Sequence, residues 1–268
     1  MFQITLLFLY IIAGTTCAAS RLPRYAGQAG PLLAVAYLAG IGAFLWHAVR
    51  LVAEIVLPDG LHLSLANTVS FIGLQIALIA LLGALEARLR GLAGGLLLLA
   101  AICATMTGLE PPPALQVPST WQLQAHILVS LFAYGLLTVG CIVAVFALVQ
   151  DRRLRAGRLS PVNNLFAPLE TTERLLFGIA AAGFATLLLA ILSGFLFVEN
   201  LFAQHLVHKT ALSLLALVLF GILIAGRHFA GWRGRAAVLL YLWGFVILCL
   251  AYFGSRFVLE NILGRTWG

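Results

Sequence analysis

Residues 122–149, QLQAHILVSLFAYGLLTVGCIVAVFALV, contain no Asp, Glu, Lys or Arg. A helix that crosses the hydrocarbon core of a bilayer needs about 20 predominantly apolar residues. This stretch therefore predicts a membrane-spanning helix, and seven further runs have the same character. These runs cover residues 2–19, 31–53, 65–84, 91–108, 174–198, 206–226 and 236–258.

The composition agrees with a protein that uses lipid as its solvent. Of 268 residues, 62% are hydrophobic and 9% are charged, whereas soluble proteins are about half apolar and a quarter charged. All nine prolines lie between the apolar runs or at their edges, where they do not interrupt a helix. We predict an all-α integral membrane protein, a bundle of about eight transmembrane helices, with residues 1–268 as a single transmembrane domain.

The arginines predict the orientation of this bundle. Twelve of the fifteen lie in the links after the first, third, fifth and seventh runs, and links rich in Lys and Arg face the cytoplasm. Both termini are therefore expected outside, in a multi-pass protein of the bacterial plasma (inner) membrane. Some functions are not expected. The net charge of +7 forms no continuous basic stripe, which argues against nucleic-acid binding.

Catalysis and thiol chemistry are not expected either. Cys17, Cys103, Cys141 and Cys249 each lie alone in an apolar run and form no CxxC pair, so neither a redox nor a zinc site is predicted. The sequence contains no recognisable pair of nucleophile and base. We therefore predict no catalytic residues and no enzymatic activity.

Histidines are the candidate functional residues. His47, His126 and His208 lie at the predicted outer ends of three different helices, with His205 one turn before His208 and His62 in an outer loop. Neutral imidazoles at one depth could ligate haem iron or a transition metal, relay protons, or serve as interfacial side chains. Ionisable residues within a membrane are functional candidates by default.

Neighbouring residues leave two further readings open. The aromatic side chains of Trp46, Trp121, Phe132 and Tyr134 fit a flat apolar ligand or an interfacial aromatic belt equally well. Glu54 and Asp59 lie on the same predicted side as the histidines, so a divalent cation site with His47 or His62 is a second hypothesis, although no metal-binding signature is present.

Three stretches carry a resemblance to a known family: HILVSLFAYGLL (126–137), residues 169–197 and residues 208–258. The most specific part is GWRGRAA (231–237) followed by a helix that ends in AYFGS (251–255). The chain resembles the cytochrome c assembly family of membrane haem-handling proteins, the CcsA, ResC and CcmF group. It is most similar to the short YpjD-type members that lack the tryptophan-rich WWD loop. The resemblance is strongest over residues 122–258.

The resemblance implies a role in cytochrome c maturation, in which haem is moved across the membrane or held at its outer face. His126 falls at the position of the family's first outer haem-ligating histidine, and His47 is the candidate for the first membrane histidine. The chain departs from the family pattern elsewhere. It lacks the WWD loop and the second outer histidine, and Ala225 stands where a membrane histidine is expected.

Three functions follow from these observations. The leading hypothesis is a non-catalytic protein that holds or passes haem at the outer face, with His126, His47 and His208 as candidate ligands of the haem iron and another membrane or periplasmic assembly protein as a partner. The alternative is a haem-free membrane partner or regulatory subunit. A small-solute or ion transporter that uses His47, Glu54 and His126 ranks last, because the broken helices of many transporters are missing.

Overall fold

The computed structural model describes residues 2–57, 60–61, 64–109, 120–157, 167–197 and 207–254. Long helices dominate these ranges. They are α1 (Phe2–Ala19), α2 (Ala29–Ile55), α3 (Leu65–Gly83), α4 (Arg90–Ala104), α5 (Trp121–Arg155), α6 (Leu169–Phe197), α7 (Val207–Ala230) and α8 (Arg235–Cys249).

Eight helical segments of the described chain are long and apolar enough to cross a membrane. Two of them reach that length with a neighbouring turn: the 3-10 turn Ala87–Leu89 precedes α4, and the π-helical turn Leu250–Gly254 follows α8. The predicted all-α bundle of about eight transmembrane helices is therefore confirmed. The orientation of the termini stays a prediction.

Short elements link the helices of the first half. A 3-10 turn at Pro23–Gln28 leads into α2. After α2, the strands Val56–Leu57 and Gly60–Leu61 pair in antiparallel register. The Ser64 hydroxyl then caps α3, because its oxygen accepts a hydrogen bond of 3.0 Å from the Asn67 N–H. Such a cap satisfies a backbone donor that the first helical turn leaves without a partner.

The chain divides into two compact units. The N-terminal unit comprises residues 1–120 and 150–172, and the C-terminal unit comprises residues 121–149 and 173–268. Each unit has its own core. The sequence-based prediction of a single transmembrane domain stays a prediction.

Small residues bring helices together within the N-terminal unit. Where α1 meets α4, a Cβ atom added to Gly14 would lie 2.8 Å from the Gly94 carbonyl oxygen, and one added to Gly94 would lie 2.6 Å from the Gly14 oxygen. Neither position has room for a side chain. This is the close backbone approach by which helices associate in membranes, where lipid provides no hydrophobic drive.

A buried tyrosine organises the core of the C-terminal unit. Tyr241 on α8 donates a hydrogen bond of 2.9 Å to the Leu137 carbonyl of α5, and its ring packs edge-on against Phe220 of α7 with centroids 5.2 Å apart. Gly140 makes room for the hydroxyl, since an added Cβ would lie 1.9 Å from the Tyr241 oxygen. The phenol is fully buried, and this bond satisfies its hydroxyl.

Helices α5 and α6 extend further than the apolar runs that predicted them. The fifth apolar run ends at residue 149 and the sixth begins at residue 174. The helices are longer, because α5 continues to Arg155 and α6 starts at Leu169. A hydropathy pattern identifies only the apolar part of a helix, so it does not predict a polar extension of the same helix. Here an ion pair of 3.0 Å between Arg155 and Asp151 stabilises the polar end of α5.

Large apolar side chains are exposed along all eight helices. Examples, one for each helix, are Ile4, Leu38, Leu78, Ile102, Val145, Leu189, Val218 and Trp243. A soluble monomer rarely presents apolar surface on this scale. These side chains form the surface that contacts lipid.

Candidate functional site

His126 lies near the start of α5, where its imidazole packs against α6 of the same compact unit. The ring is half-buried, and its Nδ1 is 2.9 Å from the Ser193 hydroxyl oxygen. A Cβ atom added to Gly194 would lie 3.1 Å from the His126 Cε1. Ser193 and Gly194 thus form the seat of the ring, one through a hydrogen bond and the other by having no side chain.

The hydrogen bonds of Ser193 determine which nitrogen of His126 carries the proton. The Ser193 hydroxyl donates to the Ala190 carbonyl at 2.8 Å, and a hydroxyl has only one hydrogen to donate. We therefore infer that Nδ1–H of His126 is the donor in the contact with Ser193. In the neutral ring this leaves a lone pair on Nε2, the arrangement in which a metal-ligating histidine is oriented by its other nitrogen.

Lys209 is the only lysine in the sequence, and it lies half-buried in the first turn of α7. Its ammonium is 5.7 Å from the centre of the Tyr252 ring, and that ring is 5.6 Å from the ring of Tyr134 on α5. The ammonium is also close enough to His126 to interact with it electrostatically. A cation in this position is costly in a membrane unless it has a role.

The helix geometry explains why Lys209 and His126 are neighbours. Tyr134 bonds through its hydroxyl to the Leu248 carbonyl at 3.1 Å and to the Ser213 side chain of α7. In the predicted topology α5 and α7 run in the same direction, so moving back along them from Tyr134 and Ser213 reaches Lys209 first and His126 one turn further on. One helical turn covers 5.4 Å, which lies within reach of a lysine side chain.

His208 has a different environment from its neighbour Lys209. Its side chain is exposed at the start of α7. The other outer residues considered with it, His205, His62 and Asp59, lie outside the described residues. His228, in the link expected on the cytoplasmic side, is also exposed.

His47 belongs to the N-terminal unit and is completely buried there. Its Nδ1 is 3.2 Å from the Tyr10 hydroxyl, and its Nε2 is 2.7 Å from the Ser70 hydroxyl. Ser70 is in turn 2.6 Å from the Thr107 hydroxyl. We call Tyr10, His47, Ser70 and Thr107 the buried polar chain. It connects α1, α2, α3 and the turn after α4.

The donors of the buried polar chain all point the same way. Thr107 donates to the Ala104 carbonyl at 3.1 Å, so it accepts from Ser70. Ser70 then accepts from Nε2–H of His47, and Nδ1 of His47 accepts from the Tyr10 hydroxyl. This direction uses every hydroxyl hydrogen. Both nitrogens of His47 are occupied, so ligation of a metal by this residue requires breaking one of these bonds.

The hypothetical cation site near His47 gains no further ligand within the described chain. Glu54 is 3.5 Å from Arg50 of the same helix, and His47 is closed off by its partners. No group of three His, Cys, Asp or Glu side chains that could hold a metal ion occurs in the described ranges.

Of the four aromatic residues considered, three fit an interfacial aromatic belt and one lies where it could contact a flat apolar ligand. Trp46, Trp121 and Phe132 are exposed, as in a belt at the membrane surface. Tyr134 lies inside the C-terminal unit beside Tyr252. Only Tyr134, of these four, therefore belongs to the surroundings of His126 and Lys209.

Comparison with known proteins shows the family of this chain. The family described as "Cytochrome C assembly protein" matches residues 35–263. The chain belongs to the cytochrome c assembly family. The match begins in α2, so the family extends well before the stretch from which the resemblance was recognised.

Two relatives from this comparison are informative. The "Inner membrane protein YpjD" of Escherichia coli K12 is 32% identical over 264 residues, which cover 95% of this chain and 97% of the relative. The "Uncharacterized 28.8 kDa protein in nifR3-like 5'region" of Azospirillum brasilense is 32% identical over 165 residues, 60% of each chain. No solved structure matches. The predicted location, as a multi-pass protein of the bacterial inner membrane, is confirmed.

The site also includes residues that sequence reasoning missed. Ser193 and Gly194 seat His126 from a position 67 residues along the chain, and no local motif marks them. Lys209 did carry a signal, because it is the only lysine of the sequence and adjoins an apolar run. His126 and His208 remain candidate ligands within the C-terminal unit, whereas His47 lies in the other unit.

Proposed function

We propose that this cytochrome c assembly protein holds haem through His126, at the outer face of the membrane. The observation that carries the proposal is the hydrogen bond of 2.9 Å between His126 Nδ1 and Ser193. It leaves Nε2 with a lone pair, on a ring seated against the backbone of α6. An imidazole is a common axial ligand of haem iron, and burial and outer hydrogen bonds tune that ligand.

The positive charge of Lys209 also supports the proposal. Haem carries two propionate carboxylates, and Lys209 supplies a half-buried cation close to the proposed ligand. Tyr134 and Tyr252 add aromatic surface beside this cation. The chain's own contribution is then to orient the iron ligand, to neutralise a propionate and to present an apolar wall. His208 is the candidate second ligand in the same unit.

The direct test uses the purified full chain. Added haem is expected to give a Soret band that shifts from that of free haem and saturates at one haem for each chain. If haem supplied in excess gives only the spectrum of free haem, the proposal is wrong. Alkaline phosphatase fusions test the face: fusions after residues 62 and 113 are expected to be active, and fusions after 155 and 233 inactive.

A haem-free membrane partner is the second candidate function. It is favoured by the environment of His47, whose two nitrogens are both used in a closed network. This network gives the imidazole a purely structural role. Under this reading His126 is structural as well, and the protein shows no Soret shift but co-purifies with another membrane protein. Absence of catalysis is part of both proposals.

A further inference from the structure

The turn between α7 and α8 folds back tightly on the end of α7. It contains Trp232, whose backbone N–H donates a hydrogen bond of 3.0 Å to the Gly226 carbonyl. The indole covers Gly226 so closely that an added Cβ there would lie 2.3 Å from a ring carbon. Gly231 and Gly234 have φ angles of 63° and 72°, which side chains rarely adopt. The motif GWRGRAA thus encodes one defined turn.

Two contacts fix this turn to α6 and to the end of α7. The Gly234 N–H donates to the Glu173 carboxylate at 3.0 Å. The Arg227 guanidinium donates to the Trp232 carbonyl at 3.0 Å and stacks over the Phe177 ring at 4.6 Å. Glu173 and Arg227 are therefore both engaged in holding the turn. Neither is the charge that the turn presents outward.

A half-open depression of about 310 Å³ lies at this turn, and we refer to it as the cavity. Its lining consists of Trp232, Arg233, Ala236, Ala237 and Leu240. The lining therefore combines two residues of the turn, Trp232 and Arg233, with apolar residues of the first turns of α8, and most of its surface is apolar. The alanines leave the hollow open because their side chains are small.

The cavity adjoins surface that faces lipid. Trp243, one helical turn after the lining residue Leu240, is 63% exposed, and Phe229 at the end of α7 is 85% exposed, so both helices that flank the turn carry exposed apolar side chains. Trp232 has the position of an aromatic residue at the boundary between lipid and water. A ligand of this cavity therefore needs a negatively charged group joined to an apolar tail.

We propose that this cavity binds the phosphate headgroup of an anionic phospholipid. The Arg233 guanidinium pairs with the phosphate, for which its planar fork of donors is suited. The acyl chains leave the cavity over Ala236 and Leu240 towards the bilayer. Basic pockets between helices at a membrane face have this use generally. The rigid turn keeps Arg233 in place before the lipid arrives, which reduces the entropy lost on binding.

The test compares phospholipids with identical acyl chains, phosphatidylglycerol and phosphatidylcholine, on the full-length chain in mixed micelles. Native mass spectrometry counts the lipids retained. The wild-type chain is expected to retain phosphatidylglycerol in preference to phosphatidylcholine, and Arg233→Gln is expected to lower that preference about fivefold. Arg88→Gln, which removes an exposed arginine from the other unit, is the control matched for charge and should leave the preference unchanged.

A second variant separates the cavity from the charge. Ala236→Leu fills the hollow from an exposed position, and it should reduce retention of phosphatidylglycerol although Arg233 remains. The proposal is overturned if Arg233→Gln matches the wild type, if Ala236→Leu has no effect, or if Arg88→Gln has the same effect as Arg233→Gln. It is also overturned if inorganic phosphate displaces the lipid, because the site would then serve a soluble phosphate.

Discussion

The two compact units each place a histidine inside a helical bundle, but they use its nitrogens differently. His47 in the N-terminal unit has a hydroxyl partner at each nitrogen and no exposed surface. His126 in the C-terminal unit is half-buried and bonds to Ser193 through Nδ1. The His47 ring has both nitrogens engaged by side-chain hydroxyls, whereas the His126 ring has one hydroxyl partner, Ser193, and also interacts with the Ala190 backbone of the same helix turn. Under the proposed function, the hydrogen bonds of each ring rather than its depth in the membrane separate the ligand from the structural histidine.

The largest effect is expected from His126→Ala. Loss of the iron ligand should abolish the Soret shift, while thermal unfolding of the protein without haem should change little, because the half-buried ring has one side-chain partner. His228→Ala is the control, since its exposed side chain lies outside the site. A haem titration and a melting curve measure both. Equal loss of haem in His47→Ala would remove the distinction between the two units.

The next effect is expected from His47→Ala, and it falls on stability. The substitution removes the hydrogen-bond acceptor of Tyr10 and the donor to Ser70, and it leaves a cavity. The free energy of unfolding should therefore drop by about 2–3 kcal/mol. Unfolding in detergent, followed by circular dichroism, measures it. The matched control is Val49→Ala on the exposed side of the same helix. If both variants unfold alike, the buried polar chain contributes little to stability.

Ser193→Ala sharpens the comparison at the second histidine. It keeps the ligand but removes the acceptor that orients it, so haem affinity should fall about tenfold, the usual cost of losing such an outer partner. Ser193→Thr retains the hydroxyl and should bind close to the wild-type level. The titration used for His126→Ala gives the numbers. Wild-type affinity in Ser193→Ala would mean that the hydrogen bond does not determine the tautomer.

The smallest effect is expected at Lys209. Lys209→Met should lower haem affinity by about two- to fivefold, since one partly exposed ion pair is lost, and Lys209→Arg should retain most of it. Haem dimethyl ester, which lacks the propionate charges, should bind the wild type and Lys209→Met equally. A preference for haem that survives in Lys209→Met would show that another group recognises the propionates.

The sequence predicts the span count well because the property that inserts a helix in lipid is carried by each apolar run alone. The polar ends of helices cannot be predicted in this way, and the last turn of α5 at Arg152–Arg155 is an example. The position of His126 could also be predicted, from its place at the start of a span and from the family resemblance. Its half-buried environment depends on packing and could not.

Contacts between distant helices account for what could not be predicted. His47 and His126 look alike in sequence, since each lies near the end of an apolar run. Their difference depends on Ser70 and Ser193, which lie 23 and 67 residues away. Hydropathy reports how deep a residue lies but not which neighbour its ring faces. Depth and the family resemblance together place His47 beside His126 among the candidate ligands, and the role of His47 as a ligand stays a prediction.

The buried polar chain also has a consequence for biogenesis. Tyr10, His47, Ser70 and Thr107 are made in that order, and each belongs to a later part of the N-terminal unit. When α2 enters the bilayer, the Nε2–H of His47 has no acceptor until α3 follows, and the Ser70 hydroxyl waits for the turn after α4. Polar groups without partners in lipid keep a helix near the insertion machinery or its water. We therefore expect the release of these four spans into the bilayer to depend on synthesis of the last of them.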